Sequence, residues 1–180
     1  MAGRLSNTIR KVLRLRRDMS FGFYMTDFLF RKILRQNTGV SWALHHTSTI
    51  HCADKIVRGA GVFPGDSPGV YINAINGIHI GDYTNIGPGV GLLSANHNFT
   101  DNSVYDPAEP IRIGRHCWIG KDASILPGVH LGDFTIVGAG AIVTHSFSEG
   151  YCVIAGNPAR KIKELNQQDC SRFAGGKQTR

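Results

Sequence analysis

At 180 residues, with 42% hydrophobic residues, 22 glycines and a formal charge of +7, the chain is long enough for one domain with a buried core. The basic balance raises nucleic acid as a partner, but no recognition motif, regular aromatic stacking platform or basic stripe within the repeat accompanies it. No segment approaches the ~20 apolar residues of a membrane span, and the basic N-terminus leads into no uninterrupted apolar run of the signal-peptide kind.

The first element lies in residues 4–36, where Arg4, Arg10, Lys11, Arg14, Arg16, Arg17, Arg31, Lys32 and Arg35 mix with Phe21, Phe23, Tyr24, Met25, Phe28, Leu29, Phe30, Ile33 and Leu34. This predicts one or two amphipathic helices, broken near Ser20–Gly22. Two roles fit: a peripheral contact with a membrane or other anionic surface, or a cap over the open end of a repeat core, which a solenoid needs in any case. Residues 1–49 form this N-terminal segment.

From residue 50 the period changes. Ile113, Ile119, Ile125, Leu131, Val137 and Val143 fall six apart, and Gly114, Gly120, Gly132 and Gly138 follow four of them. Cys117, Ala123, Val129, Thr135 and Ala141 sit four places after the aliphatics. A helix repeats at 3.6 and a strand at two, so a period of six predicts a β-helix built of short flat faces. The aliphatic points inward, the glycine sits where a Cβ would crowd the corner, and the small residue fills the remaining interior. Upstream, Ile50, Ile56 and Val62 share the phase with Ile80, Ile86 and Leu92. Pro68 and Ala74 carry it without an aliphatic, which predicts an irregular patch at about 64–79.

The phase breaks between Leu92 and Ile113. Residues from about His97 to Arg112 include Asn98, Asp101, Asn102, Asp106, Pro107 and Pro110, which predicts a loop protruding near 98–112, where function tends to sit. The coil runs over 50–165. The polar tail, 166–180, ends near Gly175–Gly176 and is expected to fray. Cys52, Cys117, Cys152 and Cys170 show no ligand spacing and read as free thiols.

The hexads, the stretch Ser94-Ala95-Asn96-His97 and the closing Ala155-Gly156-Asn157-Pro158-Ala159-Arg160-Lys161 resemble the hexapeptide-repeat O-acetyltransferases. The maltose/galactoside and colanic-acid or capsule saccharide enzymes are nearest in style, over roughly two-thirds of the chain. The resemblance implies a mainly β fold, a left-handed parallel β-helix assembled as a homotrimer, with active sites between subunits and acetyl-CoA as acyl donor. It also implies a role in polysaccharide biosynthesis in the cytoplasm, at the inner face of the membrane if the N-terminal segment meets lipid.

His97 matches the family's catalytic histidine. Acyl transfer from a thioester to a hydroxyl needs a base, and an imidazole titrating near neutrality can take the hydroxyl proton and return it to the thiolate. The resemblance further implies acceptor binding by Asn73 and Asn76, although an aspartate used by the galactoside enzymes has no clear equivalent here. Asp101, Asp106 and Glu109 are each able to orient the imidazole from the loop. On the donor side the matches are Trp118 at the coenzyme cleft, Ala139 and Thr144 along the pantetheine arm, and Arg160 and Lys163 near the nucleotide phosphates. Trp118 suits packing against a neighbouring subunit equally well. The acceptor is then a small or lipid-linked saccharide, and no metal is required.

Two other classes share this coil. A non-catalytic trimeric scaffold would have no use for His97 and the basic cluster together. A γ-type carbonic anhydrase needs three zinc-bound histidines, and only His46 and His51 come near the expected spacing.

Overall fold

The computed structural model describes residues 16 and 18–178. The predicted helix over residues 4–15 lies outside them. The described chain opens with helix α1 (Phe21–Phe28), which runs on as one π-helical turn, Leu29–Ile33. Strands β1 (Thr49–His51), β2 (Ile56–Arg58), β3 (Tyr71–Asn73), β4 (Ile78–Ile80), β5 (Asn85–Ile86), β6 (Gly91–Leu93) and β7 (Ile111–Ile113) follow. Then come β8 (Trp118–Ile119), β9 (Ser124–Ile125), β10 (His130–Leu131), β11 (Thr135–Val137), β12 (Ile142–Val143), β13 (Cys152–Gly156) and β14 (Ala159–Glu164), and helix α2 (Gln167–Gln178) closes the fold.

The strands stack into three sheets, ordered β1-β3-β6-β9-β12, β2-β4-β7-β10 and β5-β8-β11-β13-β14, called here A, B and C. Pairing is parallel in sheets A and B and in sheet C until β14 turns back antiparallel on β13. The result is a left-handed parallel β-helix. Strands this short do not persist alone; each is held by the coils above and below and by its inward side chain.

Most of the inward columns are those the hexads predict. Ile50, Ile72, Leu92, Ile125 and Val143 are in register through sheet A, and Ile86, Ile119, Val137 and Ile154 through sheet C. All are buried, and burial of each stabilises the coil by about 1.5–3 kcal/mol. The small residues Cys117, Ala123, Val129, Thr135 and Ala141 are buried between them. Their polar groups are satisfied: the Thr135 hydroxyl donates to the Gly132 carbonyl at 2.8 Å and the Cys117 thiol to the same oxygen at 3.2 Å. Burial pushes the Cys117 thiol up to about 11. All four cysteines are free.

The glycines after the aliphatics act through close approach. A Cβ on Gly120 would lie 2.6 Å from the Val137 carbonyl oxygen, and one on Gly114 would lie 2.5 Å from the Asp133 nitrogen. Left-handed backbone at the B-to-C corner falls instead on Tyr83, His116, Phe134 and Tyr151, with φ between 47° and 56°. Their rings stack along the corner at centroid spacings of 5.3, 4.8 and 5.5 Å, which offsets the cost of that conformation.

The upstream phase needs one correction. Ile50 pairs with Ile72, 22 residues on, and Ile56 with Ile78, so Ile72 and not Pro68 or Ala74 carries the sheet A column. The irregular stretch is shorter than expected: residues 64–70 hold turns and bends, but 71–73 and 78–80 are strands. The loop also ends earlier, because Ile111–Ile113 is already β7. The tail expected to fray is helical over Gln167–Gln178, and the Phe173 ring lies edge-on to His116 at 6.2 Å.

Ser20 caps α1, its hydroxyl accepting from the Phe23 N–H at 3.1 Å. The expected break near Ser20–Gly22 is therefore the start of this helix. Its orientation is the reverse of a hydrophobic cap: Asp27 is its one buried residue, while Phe21, Met25, Phe28 and Leu29 are exposed.

Candidate active site

His97 stands where sheet A gives way to the long loop. After β6, the Ser94 N–H donates to the Asn73 carbonyl at 2.9 Å, and the fully buried Ser94 hydroxyl accepts from the Asn76 N–H at 2.9 Å. Asn96 and His97 then turn out to solvent. Column partners across the loop, Leu92 and Ile125, are 33 residues apart, against 18 for Ile125 and Val143, so the whole insertion leaves the coil at this corner.

The loop closes on itself as a small hairpin. The Asp106 N–H donates to the Asn96 carbonyl at 2.9 Å and the Asn98 N–H to the Val104 carbonyl at 3.0 Å. Between them His97 and Tyr105 form an antiparallel bridge, with ring centroids 4.3 Å apart and planes tilted by 33°. Asn98 organises the tip: its Oδ1 accepts from the Thr100 hydroxyl and N–H and from the Asp101 N–H at 2.7–3.0 Å, and its Nδ2 donates to Asp106 Oδ1 at 2.9 Å. Phe99 at the tip is 97% exposed.

Both predicted acceptor asparagines lie beneath this corner. Asn73 is buried and its Oδ1 accepts from the Ile75 N–H at 3.2 Å. Asn76 Nδ2 donates to the Ser94 and Asp106 carbonyls at 2.9 and 3.0 Å, which clamps the loop base to the coil. The structure thus brings Asn73, Asn76 and His97 to one edge. Among the loop carboxylates, Asp106 is engaged by Asn98, and Asp101 accepts from the Ser103 hydroxyl and N–H at 2.6 and 3.0 Å. Those bonds hold the Asp101 carboxyl below its ordinary range. Glu109 is exposed on the loop's return.

Most of the residues expected on the donor side lie elsewhere. Trp118 (55% exposed), Ile136, Val153 and Lys163 form one row across the outer face of sheet C. Arg160, on β14 of the same sheet, is exposed and donates to its neighbour's carbonyl, that of Ala159, at 3.0 Å. Ala139 is exposed at the C-to-A corner. Thr144 departs from this group. It follows β12, on the same side of sheet A as His97 but two strands further along the coil, and its hydroxyl lies 3.3 Å from His145 Nδ1. A single chain therefore sets the histidine and the basic pair on different faces of the prism.

A mainly apolar cavity of about 310 Å³ lies beside Trp118, lined by His116, Phe134, Ile136, Leu165 and Phe173 among others. A larger hollow of about 630 Å³, lined by His46, His51, Cys52 and Asp54 among others, contains none of the predicted site residues. Among the described residues no three His, Cys, Asp or Glu side chains converge as a metal site would need. The rings of His46 and His51 rest instead on Phe30 and Tyr71, at 4.7 and 5.6 Å.

Tyr105 is the site residue that sequence reasoning missed. A signal exists: it is an aromatic in a loop of Asn, Asp and Pro, and a hairpin centred on 101 brings it back to His97.

Comparison with known proteins agrees with this fold. The family profile described as "Bacterial transferase hexapeptide (six repeats)" matches residues 110–145. The galactoside O-acetyltransferase of Escherichia coli is 38% identical over 97 residues, which are 51% of this chain and 46% of that protein. The chain thus matches about half the length of this curated relative. The crystal structure of a maltose O-acetyltransferase from Clostridium difficile superposes with a TM-score of 0.60 at 29% identity, covering 66% of this chain and 64% of the other. A galactoside acetyltransferase in complex with coenzyme A gives 0.64 at 23% identity, over 92% and 94% of the two chains, and shows the shared fold. The chain is a left-handed β-helix that carries the bacterial transferase hexapeptide repeat and resembles the hexapeptide-repeat acetyltransferases in sequence and fold.

Proposed function

We propose that the chain is an acetyl-CoA-dependent O-acetyltransferase that acylates a saccharide hydroxyl, with His97 as general base at a site shared by neighbouring subunits of a homotrimer. The observation that carries this is the separation just described. His97 and the acceptor-side asparagines share the A-to-B edge, while Trp118, Lys163 and Arg160 occupy sheet C. In a three-sided prism those surfaces meet only when a second copy sets its face against the first one's edge. The named activities of the galactoside and maltose relatives support the saccharide acceptor, and the coenzyme A complex supports the donor.

In this reading the acceptor hydroxyl attacks the thioester carbonyl and its proton passes to the imidazole of His97. The carbon–sulfur bond then breaks and the departing thiolate takes that proton, leaving an acetyl ester and a free thiol. No covalent enzyme intermediate is needed. Tyr105 packs on the imidazole and, with the Asn76 clamp, fixes the ring's position before the substrates arrive. Arg160 and Lys163 supply charge-assisted hydrogen bonds to the nucleotide phosphates. The Trp118 row and the exposed backbone at Ala139 and Thr144 offer the pantetheine arm an apolar floor and hydrogen bonds. A cytoplasmic location and a place in polysaccharide assembly belong to the same proposal.

The test is free thiol released from acetyl-CoA against a panel of sugars, oligosaccharides and amines, wild type beside His97→Ala. Acceptor-dependent release that falls by about 10²–10⁴-fold in the variant, with assembly unchanged, is the expected result. Equal turnover in the two proteins removes His97 from the chemistry. Absence of both release and acetyl-CoA binding favours a scaffold.

A further inference from the structure

Helix α1 and its π-turn are seated on the β-helix by polar groups. The Asp27 side chain, 7% exposed, accepts from Arg31 Nε and Nη2 at 2.8 and 2.6 Å and from the Leu44 N–H at 3.2 Å. Arg31 Nη1 donates to the Val40 carbonyl at 2.7 Å. Turned the other way are Phe21, Met25, Phe28, Leu29, Ile33 and Leu34, each between 43% and 59% exposed. The spacing of Phe21, Met25, Phe28, Leu29 and Ile33 follows one stripe of a helix, and Leu34 ends the π-turn beside it. A contiguous apolar stripe held out to solvent by a buried ion pair marks an interaction surface.

Charge identifies the partner. Lys32 and Arg35 are exposed at the end of the stripe and, with Arg31 and Thr38, line a cleft of about 260 Å³. Asp27 is the one carboxylate between Met19 and Gln36, and it is turned inward and paired. The outer side of this segment therefore presents apolar side chains and positive charge with no carboxylate, bounded by the neutral Ser20 and Gln36; Asp18, just upstream, is paired with Arg16. Upstream, the sequence adds Arg4, Arg10, Lys11 and Arg14. An apolar stripe flanked by cations matches the acyl–headgroup boundary of a bilayer that carries anionic lipid.

We propose that the outer face of α1 and its π-turn docks the protein on an anionic phospholipid surface. The stripe enters the headgroup–acyl boundary, and Lys32 and Arg35 meet the phosphates. This goes beyond the acyl-transfer reading and does not rest on it. Joined to that reading, it would hold the His97 edge beside an acceptor carried on a lipid.

The experiment is co-sedimentation of the full chain with vesicles of phosphatidylcholine alone and of phosphatidylcholine with one quarter phosphatidylglycerol. The wild type should sediment with the anionic vesicles and be released by salt. Phe28→Glu and Ile33→Glu should each weaken the partition by roughly ten-fold or more, and Lys32→Ala with Arg35→Ala by a comparable factor. Melting curves and oligomeric state should match the wild type in every variant. Failure of the wild type to bind anionic vesicles overturns the proposal, as does binding unchanged by both Glu variants. A change of oligomeric state in Phe28→Glu and Ile33→Glu also overturns it, because the stripe would then belong to a second copy. Thiol release measured without vesicles tests the acyl-transfer reading separately, so the two can fail independently.

Discussion

Asp133 shows how single residues tie successive coils together. Its Oδ1 accepts from the Arg115 N–H at 2.7 Å and its Oδ2 from the Arg115 guanidinium at 2.7 and 3.0 Å. Burial by itself would raise the Asp133 carboxyl, but the Arg115 hydrogen bonds and charge outweigh it and hold the group below its ordinary range. A depressed carboxylate contributes stability above its unfolded pKa, near 4, and loses it as the pH falls through its folded value. Asp133→Ala should therefore lower the melting temperature near neutrality, by an amount equivalent to about 1 kcal/mol for a partly exposed pair. The difference from wild type should close as the pH falls below about 4. A gap in thermal melting that does not narrow at all as the pH is taken below 4 would contradict this. His97 is a residue whose candidacy was legible, because it ends a recognisable stretch at the point where the hexad phase breaks. Tyr105 was legible only as an aromatic in a polar loop, since its contact with His97 exists only once Asn98 and Asp106 have folded the loop into a hairpin.

Elements in this fold are defined by their neighbours, and the glycines make that explicit. Gly120 has no room for a Cβ, which would meet backbone of the next coil at 2.6 and 2.7 Å. A Cβ on Gly39 would have nothing within 4 Å. Gly120→Ala should thus cost roughly 1–3 kcal/mol by forcing two coils apart, whereas Gly39→Ala should be close to neutral, as chemical denaturation can show. Equal midpoints for the two variants would refute the close-approach account. The regular coils, Ile113 to Val143, were legible because each inward residue recurs at a fixed interval and meets an equivalent residue above and below. The first coil was misphased because Val62 is buried without heading a strand column, so its count of six matched a pattern that Ile72 in fact carries. The direction of α1 was also out of reach. Amphipathicity shows that a helix has two faces, and only the Asp27–Arg31 contacts with Leu44 and Val40 show which one is down.

At the scale of the whole molecule, the prism divides the candidate chemistry. One edge carries His97 with its clamped loop, and another face carries the basic pair and the Trp118 row. The expected donor-side residues follow from motif matches, but their distribution over separate faces was not legible, because it depends on how many residues each coil takes. In the proposed function these halves complete one another across a subunit boundary. The most direct test of this is co-expression of His97→Ala chains with Arg160→Ala/Lys163→Ala chains, followed by thiol release at limiting acetyl-CoA. Mixed assemblies should turn over faster than either parent variant alone, because some boundaries pair an intact His97 edge with an intact basic face. A mixture no faster than the sum of its parents would place both halves within one chain and contradict the account.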